Sequence, residues 1–247
     1  MQELPIEMRV DTKKHRLAYI RGNGNRLVVS MSGVGNRRRF FPPWEFIATA
    51  SDNGRNHVLL VSDIERSWMN SPILPELIAN EIERIKSTEQ IDEVVALGNS
   101  MGGFMALVLP QYTLLNRIVA ISPQFSMHPD IMPEEERWAY WQERIGTFRH
   151  EDVGDIDPKK RGYFILHGGT KRENIHWGMF HHIPKLHHYI LKGKGHQVIV
   201  AMKGSGLMRD VLHLAIVGQE EKAIGVLPKR FNAIRRDQMP EETKFLW

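Results

Sequence analysis

Residues 93–110 read EVVALGNSMGGFMALVLP, in which an apolar run ends in Gly-Asn-Ser-Met-Gly-Gly and a second apolar run follows at once. A strand, then Gly98-Asn-Ser100-Met-Gly102, then a helix is the nucleophile-elbow pattern. The glycines have a steric reason. A serine displayed on a strained strand-to-helix turn crowds the residues two before and two after it, and only hydrogen fits there. Such a turn lifts the Ser100 hydroxyl to the C-terminal edge of the sheet, where open α/β sheets bind ligands. The helix that follows aims its positive end at the same place, and the Met101 N–H is a candidate oxyanion donor. A glycine-rich turn that merely packs is the bland alternative, and the flanking strand, helix and double glycine weigh against it.

The chain as a whole resembles the α/β-hydrolase superfamily, over roughly residues 17–218. That resemblance implies a serine nucleophile, an acid and a histidine in chain order, with no cofactor. His196 fits the histidine: Leu191-Lys-Gly-Lys-Gly-His196 follows an apolar run and precedes a long amphipathic one. A neutral imidazole there would take the Ser100 proton and return it to the leaving group. The acid departs from the pattern, because many members carry His-Gly-X-X-Asp where this chain reads His167-Gly-Gly-Thr-Lys171. Lysine only donates, so it cannot accept the imidazole N–H. Glu173, two residues on, is the expected acid, its extra methylene covering a small shift of the loop. SPQFSMHPDIMPEEERW followed by KRENIH is loosely similar to α/β-hydrolase-like proteins of bacterial surface-polysaccharide loci, which tend to carry Asp-Arg-X-His where this chain has Glu173-Asn-Ile-His176. Asp130 is the second choice for the acid and Asp63 the third. The oxyanion loop falls on Ser32-Gly33-Val34-Gly35, giving Val34 N–H and Met101 N–H as the donor pair.

Three further features bear on substrate. Arg37-Arg-Arg39-Phe-Phe-Pro-Pro-Trp44 follows the oxyanion loop, and Arg37 there is a candidate clamp for a carboxylate or phosphate, against the plainer reading of a solvated loop. Trp138 and Trp141, three apart, would share one face of a helix that covers the site or packs into the core. His176, His181, His182, His187 and His188 are close in sequence, yet no carboxylate or cysteine completes a zinc-like spacing, so no metal site is expected. Gly193-Lys-Gly lacks the spacing and hydroxyl of a phosphate loop.

The elements that must position these residues alternate. Predicted strands cover 17–20, 27–31, 57–62, 93–98, 117–122, 163–167 and 187–191, several of them continuously apolar, as in Val58-Leu-Leu-Val61. Unbroken apolar strands are covered on both faces. Predicted helices cover 75–87, 102–115 and 197–218. The fold class is therefore α/β: a mostly parallel sheet with helices on both faces. A helical insertion over about 124–160, with a helix starting at Pro133 ahead of three glutamates, follows the strand after the elbow helix. Residues 1–220 form the expected domain, and 221–247 a charged C-terminal tail.

Bulk properties narrow the class. The 247 residues carry 33 basic and 29 acidic side chains, too mild an excess to argue for nucleic acid. With no cysteine, thiolate nucleophiles and disulfides are excluded. The first residues, MQELPIEMRVDTKK, have no apolar core of a secretory signal, and no apolar stretch reaches the ~20 residues of a membrane span, so a cytoplasmic location is expected. The expected activity is a serine-dependent acyl hydrolase (esterase, thioesterase or amidase) acting on a small acyl substrate. Alternatives are acyl transfer in the same site, or a catalytically weak binding protein acting in polysaccharide metabolism.

Overall fold

The structure, a computed structural model, describes residues 4–239 except 182 and 185. Its elements in chain order are β1 (Glu7–Asp11), β2 (His15–Ile20), β3 (Arg26–Met31), α1 (Ile47–Ser51), β4 (His57–Asp63), α2 (Leu74–Thr88), β5 (Glu93–Asn99) and α3 (Met101–Val108). Then follow β6 (Arg117–Ile121), α4 (Ala139–Gln142), β7 (Gly162–Gly168), α5 (Lys171–Trp177), β8 (His187–Leu191), α6 (Val198–Gly204), α7 (Met208–Ile216), α8 (Glu220–Gly225) and β9 (Ala233–Arg235).

The strands form one nine-stranded sheet in the order β1-β2-β4-β3-β5-β6-β7-β8-β9. From β4 through β8 all neighbours are parallel, while β1, β2 and β9 add antiparallel edges. The side-chain period of two sorts each central strand between two cores. Val29, Leu59, Val61 and Ala96 join one core with Ile78 and Ile82 of α2 and Phe104 of α3. Val28, Val58, Leu60 and Leu97 join the other with Val198 and Met202 of α6 and Val211 and Leu212 of α7. Helices therefore cover both faces, and the C-terminal ends of β3, β5, β6, β7 and β8 open at one edge.

Three expected helices are interrupted. The first predicted run, 102–115, stops at Val108 and tightens into a 3₁₀ turn over Leu109–Gln111. Pro110 has no N–H to donate to the Ala106 carbonyl, so the α-helical ladder cannot continue through it. The run 197–218 splits into α6 and α7 at Gly204-Ser-Gly206, where Gly206 has φ 76°. The helix expected from Pro133 is reduced to α4, with turns before it. Its cause is chemical. Glu135 and Arg137 both turn inward to meet His176 and Glu173. Residues two apart on a helix do not share a face, so a continuous helix would forbid that arrangement. Past residue 220 the chain does not trail away as a tail: α8 packs Ala223 into a core and β9 pairs with β8. The rest of the expected tail, 240–247, lies outside the described residues. Among the described residues no helix is long and apolar enough to cross a membrane.

Candidate active site

Ser100 occupies the turn between β5 and α3 with φ 57° and ψ −121°, a region that L-residues seldom adopt. The neighbouring glycines make the turn possible. A Cβ on Gly98 would lie 2.1 Å from the Gly102 carbonyl carbon, and one on Gly102 would lie 2.1 Å from the Met31 carbonyl oxygen. The Ser100 N–H donates to Ile121 O at 2.8 Å, tying the turn to β6.

Glu173 arrives on α5 and His196 on the loop after β8, and the turn that leads into α5 is bonded to that loop. Gly169 N–H donates to Leu191 O (2.8 Å) and Thr170 N–H to Lys194 O (3.1 Å). The approach requires a residue without a side chain at the end of β7, since a Cβ on Gly168 would sit 2.2 Å from Gly195 O. His196 Nε2 lies 2.9 Å from Ser100 Oγ, and His196 Nδ1 lies 3.1 Å from Glu173 Oε2. Glu173 accepts the Nδ1–H, which leaves Nε2 as the acceptor for the Ser100 hydroxyl. Lys171 is exposed at the start of α5. Glu173 and His176, three apart on α5, face inward together and are both buried.

The carboxylate of Glu173 has a second partner. Arg137 Nη1 bonds Glu173 Oε1, and the same guanidinium takes Glu135 through Nε, at 2.9 and 3.0 Å, and through Nη2. Burial opposes the ionisation of Glu173, but His196 and Arg137 outweigh it and hold its pKa at about 2. Glu135 is likewise held at about 2, against its burial, by His176 and Arg137. His176 Nδ1 accepts the Phe125 N–H at 3.2 Å, so its Nε2–H donates to Glu135 at 2.7 Å and the ring is neutral. Burial pushes the His176 pKa down, in agreement with that tautomer.

Gln124, just past β6, fixes the Ser100 side chain. The Trp68 indole, which can only donate, bonds Gln124 Oε1 at 3.1 Å, so the amide nitrogen must face Ser100 Oγ, also at 3.1 Å. Arg66, buried within a helix-free turn after β4, ties down the expected oxyanion loop. Its guanidinium donates to the carbonyls of Val34 (3.0 Å), Ile64 (2.7 Å), Arg37 (3.1 Å) and Phe40 (2.8 Å).

Val34, Ser100, Trp138 and His196 line one cavity of about 510 Å³, as do Glu45, Asn99 and Lys203. Met101, the residue after Ser100, begins α3. The Trp138 ring stands 5.7 Å from the His196 ring. Other expected residues are elsewhere. Arg37 is exposed beside Phe40 and does not line the cavity; its carbonyl, not its guanidinium, is what the loop uses. Trp141 is buried in a core under the Arg66 guanidinium, because α4 is too short to give both tryptophans a common face. Asp130 is exposed and sits near His128, while His196 has Glu173 as its carboxylate partner. Asp63 accepts from the Ser67 N–H and Oγ–H and the Glu65 N–H, closing the turn after β4.

Among the described residues one group gathers ligand atoms in the manner of a cation site: His15, Asp63 and Glu65. Asp63 is already engaged as above, and Lys14 holds Glu65 at 2.8 Å. In the histidine-rich stretch, His176 serves Glu135, His188 bonds His167 (2.9 Å) and His187 bonds Tyr189 Oη (3.1 Å); His182 lies outside the described residues.

Solved structures share this architecture. The capsule O-acetyltransferase of Neisseria meningitidis serogroup A superposes with a TM-score of 0.59 at 15% identity, covering 87% of this chain and 95% of that one. The acylaminoacyl peptidase of Pyrococcus horikoshii superposes with a TM-score of 0.57 at 16% identity, covering 90% of this chain and 41% of that one. The chain has the α/β-hydrolase fold. No protein-family model matches the sequence, and no curated protein matches it. Likeness at such identity carries the architecture alone, so chemistry in this α/β-hydrolase fold must be argued from its site.

Sequence reasoning missed Gln124, Arg137, Glu135, Arg66 and Glu45. Gln124 had one usable signal, its place directly after a strand that neighbours the serine strand. The others gave none, since their partners are distant in sequence and polar residues in loops are commonplace.

Proposed function

We propose that the protein is a serine-dependent acyl hydrolase acting on carboxylic esters, with Ser100 as nucleophile, His196 as general base and acid, and Glu173 as the group that orients the imidazole. The observation that carries this reading is the continuous chain from Ser100 Oγ to His196 Nε2 (2.9 Å) and from His196 Nδ1 to Glu173 (3.1 Å), at the mouth of a cavity. Ser100 Oγ attacks the ester carbonyl as its proton passes to His196 Nε2. The oxyanion forms against the N–H groups of Val34 and Met101, preorganised donors of a kind whose loss costs about 3–4 kcal/mol. The imidazolium then gives its proton to the departing alcohol oxygen, leaving acyl-Ser100. Water adds to the acyl carbon with His196 again taking the proton, and the acid departs as Ser100 is regenerated. Glu173 stabilises the imidazolium in both steps and is itself ionised throughout the neutral range, in keeping with its pKa of about 2.

A fluorophosphonate probe tests the reading. Wild-type protein is expected to label stoichiometrically at Ser100, and Ser100→Ala and His196→Ala to label at background. Equal labelling of wild type and Ser100→Ala would sink the assignment.

A further inference from the structure

Three residues that line the cavity each carry a buried side-chain atom with no hydrogen-bond partner among the described residues: Glu45 Oε2, Asn99 Oδ1 and Trp138 Nε1. They surround the candidate nucleophile. Asn99 immediately precedes Ser100, and Trp138 stands against the His196 ring. Glu45 reaches the oxyanion loop, where a Cβ on Gly33 would meet Glu45 Oε1 at 3.3 Å and Asn99 O at 3.1 Å. Nearly all buried polar atoms in proteins are satisfied, so three orphans around one cavity call for an explanation in what the cavity binds.

We propose that Glu45, Asn99 and Trp138 form a subsite for a neutral, polyhydroxylated part of the substrate. This rests on the acyl-hydrolase reading above and names the substrate class of that same site. The donor and acceptor types select the ligand. An alkyl chain would leave all three atoms unpaired. A carboxylate would set its lone pairs against those of Asn99 Oδ1, and the lysine of the lining, Lys203, is exposed. An ammonium group cannot accept the Trp138 N–H. It would also find Glu45 half-neutral, since burial pushes that carboxyl up to about 7 against the pull of the Gly33 N–H. Neighbouring hydroxyls both donate and accept, and two or three of them satisfy the whole set. Such sites discriminate strongly, because an analogue without the hydroxyls leaves buried groups unpaired.

The test compares ester pairs of matched size. Glycerol monoacetate against propyl acetate places the hydroxyls on the departing alcohol, and ethyl glycerate against ethyl propanoate places them on the acyl side. Wild-type protein is expected to favour the hydroxylated member of one pair by about 30-fold or more in kcat/KM, and the pair that responds assigns the side. Glu45→Met should cut that preference about tenfold and Glu45→Gln, which keeps hydrogen-bonding capacity, should retain it within about threefold. Trp138→Phe keeps a ring on His196 and removes only the donor, so it too should lower the preference, by about tenfold. Ser100 labelling by fluorophosphonate separates the two readings. Labelled protein with no preference in either pair, or a preference untouched by Glu45→Met and Trp138→Phe, overturns the subsite alone. Absence of labelling overturns the hydrolase reading and the subsite with it.

Discussion

Removing Arg137 should damage stability and turnover together, in proportions the structure sets. Its guanidinium is the shared cation of Glu135 and Glu173, two carboxylates whose side chains are each 1% exposed, while the arginine itself is 17% exposed. Breaking a buried pair by deleting one partner costs about 3–5 kcal/mol, and partial exposure of the arginine places Arg137→Met at the lower end, about 3 kcal/mol. For a chain of this size that corresponds to a fall in Tm of about 6–12 °C. Both carboxyls have pKa values depressed from 4.5 to about 2, so their contribution is complete above pH 4.5 and is lost as pH falls from there towards 2. The gap between wild type and Arg137→Met should therefore be full at pH 7 and shrink across that acid window. Turnover should fall because Glu173 Oε1 loses the contact that keeps Oε2 on His196. A carboxylate misplaced by about 1 Å lowers kcat by tenfold or more, with KM little changed. Arg137→Lys keeps the charge without the planar fork and should recover part of both losses. Urea unfolding at pH 7 and pH 3, with ester hydrolysis at pH 7, measures each quantity. An Arg137→Met variant as stable and as active as wild type would refute the reasoning.

Other consequences are as direct. Gln124→Leu strands the Trp68 indole N–H and frees the Ser100 rotamer; it should cost about 1–3 kcal/mol in urea unfolding and slow fluorophosphonate labelling about tenfold, whereas unchanged labelling would show that the amide does not matter to Ser100. Gly102→Ala drives a Cβ to 2.1 Å from Met31 O, so the turn must move; labelling should be lost even where circular dichroism shows a folded protein. Glu45 carries a raised pKa, from 4.5 to about 7, so its ionisation withdraws about 3 kcal/mol of stability as pH rises through that interval. Glu45→Gln should match wild type near pH 4 and exceed it by about that amount at pH 8 in urea titrations; a constant difference at both pH values would refute the assignment.

How far the sequence revealed this molecule depends on the range of the interactions involved. The parallel strands were legible because burial on both faces leaves a local signature, a run such as Val58-Leu-Leu-Val61, and each of the seven predicted strands has a counterpart within two residues. The edge strands β1 and β9 were not, since a strand paired on one side is short and polar: EMRVD and AIR carry little pattern. The glycine spacing around Ser100 was legible because Gly98 meets Gly102 four residues on, although Gly102 is itself held to glycine by Met31 of β3. Residue 173 was reached only through the resemblance, and what holds it was beyond reach. Arg137 is 36 residues from Glu173 in sequence, and Glu135 is 41 from His176.

That same contact explains why the segment between β6 and β7 defeated the helix expected of it. Three glutamates after a proline favour a helix start when they face solvent. Here Glu135 is instead buried, and the inward turn of residues 135 and 137 brings a cation to Glu173, the carboxylate bonded to His196. Local propensity was overridden by a buried charge network, and that network reaches the proposed acid, Glu173. Where Lys171 stands at the start of α5, the proposed acid is Glu173, and the segment after β6 gives its carboxylate a second partner in Arg137. The same segment places Trp138 on the cavity wall one residue later. The carboxylate bonded to His196 and the wall of the cavity are thus both reached from adjacent residues, so on the proposed mechanism changes to this stretch should alter turnover and substrate choice together.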